Sequence, residues 1–570
     1  VPRPAVPPPP PPVVAALAEA APPVAADEAP PQAAEEAPVP DVDAVATWLN
    51  AELDNQGAPL QTTRSYTLAV FFGERSASSA AVSTVESIIP FRRGDETIDL
   101  GVRLMSSDFV VPPFPQMLRV GRDGRSTSRA LFEITPLDVR AEDGSERPRT
   151  LSILVDVKGN FLQRLDVTFD PDAATDVSNY GRPAAAATAL DERQATLQIM
   201  PSAGGYQLMA PQVCDDPIQI NLTEDELGAR IEKVRAVLLK TVKQRPVALE
   251  MDISTEDGDA FLRDLAFAGF RLFQAIFAGP DASADLRRVG AWLCETLSDE
   301  ITTLQVVSSG FPVPWALMYP VKRFDAAPLS WDGFIGMRHV VEQIPMAQLD
   351  RTPPPPTIAS TPELSVRVLY NDGIDAQMPS RPVAAQRAYW AARGVALTEG
   401  TSADDLVTQA LAPSAADKVL YLYCHAEAST ADPDDATLIL TGSQSVTLGE
   451  LSAFAPIEDM MASRPLVFIN ACESGQLTPN FYDGFVPYFL AKGARGVIGT
   501  ECKTPGLFAS EWAKAFFDEL FAGMPLGELV LTLRRRFLAE HNNPLGLLYG
   551  VHCDTDTVVA PALAASTPAQ

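Results

Sequence analysis

The sequence predicts an α/β protein: a mostly parallel sheet covered on both faces, preceded by an all-β sandwich and a Pro/Ala-rich disordered tail. Three observations predict it. From about Leu364 onward, apolar runs of strand length alternate with helical periods across short connections. Between Ser65 and Phe169, six or seven short alternating runs follow one another with no helical period. Residues 1–45 are almost entirely Pro, Ala, Val and Glu, a composition that cannot bury a core.

Taken in order, residues 1–45 read as a linker, with Pro7 to Pro12 imposing polyproline geometry. The chain begins at Val1, not Met, and reads as a piece of a longer polypeptide whose upstream part this tether would join. A short helix is expected from near Asp41, carrying Val45, Trp48 and Leu49. Residues 60–170 form the sandwich, with runs such as Tyr66–Phe72 and Leu151–Val157 separated by turns at Asp143-Gly144 and Lys158-Gly159. We read it as an interaction or spacer module, and its basic stretch Arg119–Arg125 as a solvated turn. Residues 172–192 read as a linker.

The next segment, 195–355, changes period. Thr223-x-x-Glu226 is a capping box that opens a helix through about Val242. Helical patterns follow at 258–278 and 283–299, then a strand at Thr303–Ser308 and the irregular, Pro-pinned Phe311–Pro320. Pro353 to Pro356 close the segment. Residues 360–556 are the clearest α/β block. Strands are expected at 364–370, 395–397, 419–427, 465–472, 496–500 and 545–551, and helices at 382–393, after Ser402, after Thr447, and at 483–492, 507–522 and 526–540. Residues 557–570 read as a disordered tail.

Composition narrows the function. At 570 residues there is room for three or four domains of ~150 residues. Asp and Glu number 73 against 44 Lys and Arg, a formal net charge of −29, which argues against nucleic-acid or anionic-membrane binding and suits basic partners. The six cysteines form no C-x-x-C pair, so neither a zinc pattern nor a disulfide framework is indicated, and a reducing cytoplasm fits. No apolar stretch approaches ~18 residues, and no signal peptide is evident.

Two runs carry chemistry. Val419-Leu-Tyr-Leu-Tyr-Cys-His425-Ala-Glu delivers a histidine, and Pro465-Leu-Val-Phe-Ile-Asn-Ala-Cys472-Glu-Ser-Gly475 delivers a cysteine. If these strands are parallel neighbours, both residues emerge at the carboxyl edge, where open α/β sheets place their sites. A thiol needs a base, and an imidazole beside it supplies one. Glycine at 475 allows a sharp turn, and the backbone N–H groups of Cys472 and Ala426 are candidate oxyanion donors. Cys424, adjacent to His425, falls on the opposite face and reads as core. Cys502, His541, His552 and Cys553 show no metal-ligand spacing, and His339 reads as structural.

The C-terminal block resembles the CHAT domain, a caspase-like family of clan CD cysteine peptidases. The matching residues are Tyr423-Cys-His425-Ala-Glu, Asn470-Ala-Cys472-Glu-Ser-Gly475, Lys492 to Thr500 and Asn543 to Gly550. Upstream, Pro312 to Leu317 and Gly336 to Glu342 resemble the family's pseudo-catalytic half, so the likeness spans roughly 200–556. It implies a caspase-like fold with a pseudo-catalytic half at 195–355 and a catalytic half at 360–556. It also implies a dyad of Cys472 as nucleophile and His425 as base, with no cofactor or metal. Two departures stand out: His-Ala replaces His-Gly, and Glu501-Cys-Lys-Thr-Pro-Gly follows Thr500 without the Leu-Trp and acidic residue of many members. Asp372, Asp375 and Glu501 are the substitutes for an acidic substrate-binding residue. The leading expectation is a cytoplasmic bacterial endopeptidase acting on a protein substrate, of the regulated defence or cell-death type, under an upstream sensor or activator. The alternative is a catalytically silent CHAT-fold scaffold acting through its sandwich.

Overall fold

Antiparallel strands come first. The computed structural model describes residues 42–560, apart from 56–57, 93, 141–145, 171–174, 183–192, 203, 243–249, 299, 326–327, 349–353, 361–362, 428–431, 473–479 and 503. For residues 42–44, 215, 347–348, 433, 471–472 and 480–483 it describes the backbone alone. Almost all of the expected N-terminal linker and the end of the expected C-terminal tail lie outside the described residues.

Strand β1 (Val42–Leu53) corrects the helix expected there. Its alternating burial puts Leu49, Ala51 and Leu53 into a core, a period of two and not 3.6. Antiparallel ladders to β2 (Tyr66–Gly73) and β4 (Ser87–Arg92) decide the matter, because non-local pairing outweighs a weak local helical pattern. β1, β2 and β4 share a six-stranded sheet with β3 (Ala81–Val82), β6 (Phe109–Val110) and β8 (Ala130–Pro136). A second sheet runs through β5 (Thr97–Met105), β7 (Gln116–Gly121), β9 (Arg149–Val157), β10 (Asn160–Phe169) and β11 (Asp176–Gly181). The two enclose one core, with Leu68 and Phe132 from the first and Val102, Ile153 and Leu165 from the second. β11 lies in the stretch read as a linker, which is a second correction.

A larger mixed sheet follows. In its N-terminal half, β12 (Ala195–Ser202), β13 (Gly205–Ala210) and β14 (Cys214–Ile220) form an antiparallel meander. β15 (Thr303–Ser308) runs parallel to β12, and β16 (Val340–Pro345) parallel to β15. β17 (Ala347–Gln348) leaves this half to pair with β11 of the sandwich. Helices α1 (Glu224–Val242), α2 (Thr255–Phe277) and α3 (Ala284–Thr296) cover one face through Leu227, Ile231, Phe261 and Phe277. Thr223 and Glu226 close the expected box at the start of α1.

The other face of this half is covered by the sandwich, not by helices. Met105, Leu154 and Phe161 pack on Met200, Met209, Val307 and Ile344. Beside them lies a buried polar cluster. The Glu342 carboxylate accepts from Arg182 (2.8 Å), Arg193 (3.0 Å), Gln305 (2.7 Å) and Thr555 (3.1 Å), and Arg182 also reaches Asp554 at 2.6 Å. Burial alone would raise the Glu342 carboxyl, but the two guanidiniums hold it down at about 2.

In the C-terminal half, β18 (Thr357–Ala359) pairs outside the main sheet. The main sheet gains β19 (Ser365–Tyr370), β20 (Ala396–Gly400), β21 (Val419–Glu427), β24 (Leu466–Cys472), β25 (Gly496–Thr500) and β26 (Tyr549–Cys553). β22 (Thr437–Ile439) and β23 (Ser445–Thr447) form a flap on β21. The order β20-β19-β21-β24-β25 is parallel throughout, and β26, antiparallel to β25, joins the two halves at Gln343↔His552. Helices α4 (Pro382–Ala391), α7 (Gly506–Phe521) and α8 (Leu526–His541) lie over one face; α5 (Leu448–Phe454) and α6 (Asn480–Ala491) lie over the other. β27 (Val558–Ala560) pairs with β18, so the start of the expected disordered tail is a strand. Among the described residues, no helix is long and apolar enough to cross a membrane.

Candidate active site

The apolar runs around His425 and Cys472 become β21 and β24, adjacent and parallel, with partners running from Val419↔Leu466 to His425↔Cys472. Aliphatic and aromatic residues dominate both strands, and burial on both faces explains their near-continuous apolarity. The last matched pair of the ladder is therefore the histidine and the cysteine. Neighbouring strands are ~4.8 Å apart, and matched positions of a parallel pair share a face. On β21, Tyr421 and Tyr423 belong to the α7 side and Leu422 and Cys424 to the α6 side. Alternation assigns His425 to the α7 side, and Cys424 is core, as expected. His425 is 6% exposed.

Backbone direction bears on Ala426. The carbonyl of Tyr423 accepts from Asn371 N at 2.9 Å, on the β19 side. Backbone groups alternate sides along a strand, so the N–H of Ala426 is directed to the β24 side. Its register partner on the flap is Leu438.

The three acidic candidates fare differently. Asp372 follows β19 at this same edge, its N–H donating to Thr441 Oγ1 (2.9 Å), and its carboxylate meets Arg387 at 2.7 Å while 38% exposed. Asp375 accepts from Val383 N (2.7 Å) and Ala384 N (3.0 Å), the cap of α4. Glu501, just past β25, is 6% exposed and accepts from Arg235 of α1 at 2.9 and 3.2 Å. Burial raises its carboxyl above the ordinary value despite that arginine. Asp372 is the most exposed of the three side chains, at 38% against 17% for Asp375 and 6% for Glu501. Among the described residues, no group of three or more His, Cys, Asp or Glu side chains could hold a metal ion.

One site-supporting role escaped the sequence reading, which quoted Asn470 only as part of the cysteine motif. Asn470, two positions before Cys472, is fully buried; its Nδ2 donates to Tyr421 Oη (3.0 Å) and Ala509 O (2.8 Å), and its Oδ1 accepts from Tyr549 Oη (2.9 Å). This ties the end of β24 to β21, α7 and β26 at once. The signal was available: an amide inside an apolar strand must find partners. His339 is structural, as expected. Thr302 N donates to its Nδ1, and its Nε2 donates to Leu297 O, a neutral ring that burial pulls down to about 4.

Comparison with known proteins bears on this half of the chain. A family model described as the CHAT domain matches residues 268–548, from within α2 to the approach to β26. The chain carries a CHAT domain. A protein described as a probable protease, from Vitiosangium sp. (strain GDMCC 1.1324), is 40% identical over 90 residues, which are 15% of this chain and 12% of that protein. The chain thus spans about an eighth of that relative's length. Among solved structures, the Saccharomyces cerevisiae separase–securin complex aligns over 57% of this chain and 22% of its own, at 11% identity and a TM-score of 0.26. At that score the similarity carries no weight for fold or chemistry.

Proposed function

We propose that the CHAT domain is a caspase-like cysteine endopeptidase of clan CD with Cys472 as nucleophile and His425 as its base. The observation that carries this reading is the register match of the two residues at the carboxyl ends of adjacent parallel strands. In the proposed cycle His425 takes the Cys472 proton, and the thiolate attacks the scissile carbonyl. The N–H groups of Ala426 and Cys472 receive the developing oxyanion. His425 then protonates the leaving amine, and water, deprotonated by the same ring, releases the acyl group. No cofactor or metal enters. Asp372, the most exposed of the three and beside the flap, is the residue we assign to a basic substrate side chain, which would share it with Arg387; Asp375 and Glu501 are engaged by the α4 cap and by Arg235. The similarity to a probable protease from Vitiosangium supports the protease reading, and a bacterial protein working in the cytoplasm is part of the proposal. A regulated effector role, with a protein substrate and an upstream sensor, completes the proposal.

One observation favours a second reading, a silent scaffold with the CHAT fold: Arg235 occupies the carboxylate that follows β25. Fluorogenic peptides varied at P1, assayed on the wild type, Cys472→Ala and His425→Ala, separate the two. The proposal expects turnover that disappears in both variants. Equal turnover in all three proteins eliminates the dyad, and no turnover in the wild type, with no labelling of Cys472 by an alkylating agent, favours the scaffold.

A further inference from the structure

The surface of α1 and α2 departs from the character of the rest of the chain. A groove of about 670 Å³ runs between them. Arg263, Phe267 and Arg271 line one side, four residues apart on α2 and so in one stripe. Arg230 and Lys233 of α1 line the other. The Phe267 ring is 50% exposed and meets Phe324 edge-on at 5.3 Å, giving the groove an aromatic floor open to solvent. Asp264, a carboxylate in its lining, is engaged by Lys240 at 3.0 Å.

Among the described residues none of the four cations has an ion-pair partner. The chain carries 29 more negative than positive charges, so carboxylates for them were abundant. Gathering like charges along one groove costs Coulomb energy that an anionic occupant removes. The apolar floor needs an apolar contact as well. Polyanions fit poorly here. The first turns of the two helices carry Glu224, Asp225 and Glu226, and Glu256 and Asp257. A duplex, with a charge every ~1.7 Å along its axis, would overrun the groove onto those carboxylates. A short peptide need not.

We propose that the α1–α2 groove docks a short acidic, amphipathic segment of a partner protein, its carboxylates on Arg230, Lys233, Arg263 and Arg271 and one aromatic or aliphatic anchor on Phe267 and Phe324. Steering by the cations and burial of the anchor are the two usual components of such recognition.

The test uses the full chain and a fluorescein-labelled peptide of Glu, Ala and Leu bearing one Phe, followed by fluorescence anisotropy. Binding is expected at low salt, weakening as salt rises and by at least ~10-fold in Arg263→Glu/Arg271→Glu and in Phe267→Ala. All three replaced residues are exposed, so circular dichroism should be unchanged; Lys233→Glu is the second variant if the double one misfolds. Unaltered affinity in the variants, or absence of binding at low salt, overturns the proposal. So does equal binding of a Glu homopolymer, which would make the site purely electrostatic. Tighter binding of oligothymidylate or of phosphatidylserine vesicles would assign the groove to those ligands and likewise overturn it.

Discussion

Replacing Asn470 by alanine removes the amide that fastens the end of β24. The hydrogen bonds lost include those to Tyr421 Oη at 3.0 Å, to Ala509 O at 2.8 Å and from Tyr549 Oη at 2.9 Å. Asn470 and both tyrosines are 0% exposed, so water does not replace the lost partner. At about 1 kcal/mol net per bond the loss is ~3 kcal/mol, rising toward ~5 kcal/mol if the orphaned groups find no substitute. A global unfolding free energy is poorly defined in a chain of this size, so local opening is the better measure. Hydrogen exchange of the β24 amides from Leu466 to Asn470 should accelerate by about two orders of magnitude, since each 1.4 kcal/mol is tenfold. Asn470→Leu refills the volume without the amide and should accelerate exchange nearly as much. Exchange within threefold of the wild type in both variants would show that the network does not hold the end of β24 in place.

Two other predictions concern parts remote from His425 and Cys472. Glu342→Gln removes the charge between Arg182 and Arg193; breaking a buried ion pair typically costs ~3–5 kcal/mol. A lower melting temperature and faster proteolysis between sandwich and CHAT domain are expected, and an unchanged melting and protease profile would contradict it. His339 sits at about 4 against an ordinary value of 6.5, so the unfolded chain takes up the proton first. Its contribution is complete above pH 6.5 and is lost as pH falls toward 4, about 2.5 × 1.36, or ~3 kcal/mol. Wild type should therefore lose stability to urea more steeply than His339→Asn between pH 6.5 and 4, and parallel slopes would refute the assignment.

What could be read from the sequence was what is local. The boxes Thr223/Glu226 and Thr447/Glu450 close three residues apart, and both helices start where the boxes place them. β21 and β24 were legible because strands buried on both faces read as continuous apolar runs. What stayed hidden depends on partners far along the chain. β1 takes its strand conformation from ladders to β2 and β4, and the meander β12–β14 has no local helix-versus-strand signal strong enough to mark it. The engagement of Glu501 by Arg235 spans 266 positions, beyond any pattern reading.

The sandwich changes meaning once its contact face is known. Strands of the N-terminal half turn Gln305 and Glu342 to one side and Leu304 and Val306 to the other. Had helices covered both faces, the polar side would carry buried groups without partners, at a cost of ~1–3 kcal/mol each. The sandwich supplies those partners: Asn160 and Arg182 from its strands and the segment after them, with Asp554 arriving from beyond β26. The cluster is satisfied by three regions together and by no two of them alone. A spacer free to swing would have to expose or orphan Glu342 with each excursion, and the charge it holds makes that excursion expensive. The sandwich is therefore a structural layer of the N-terminal half of the large mixed sheet. Asp554 follows β26, which pairs with β25, and β25 pairs with the strand that ends at Cys472, so the cluster and that strand belong to one sheet.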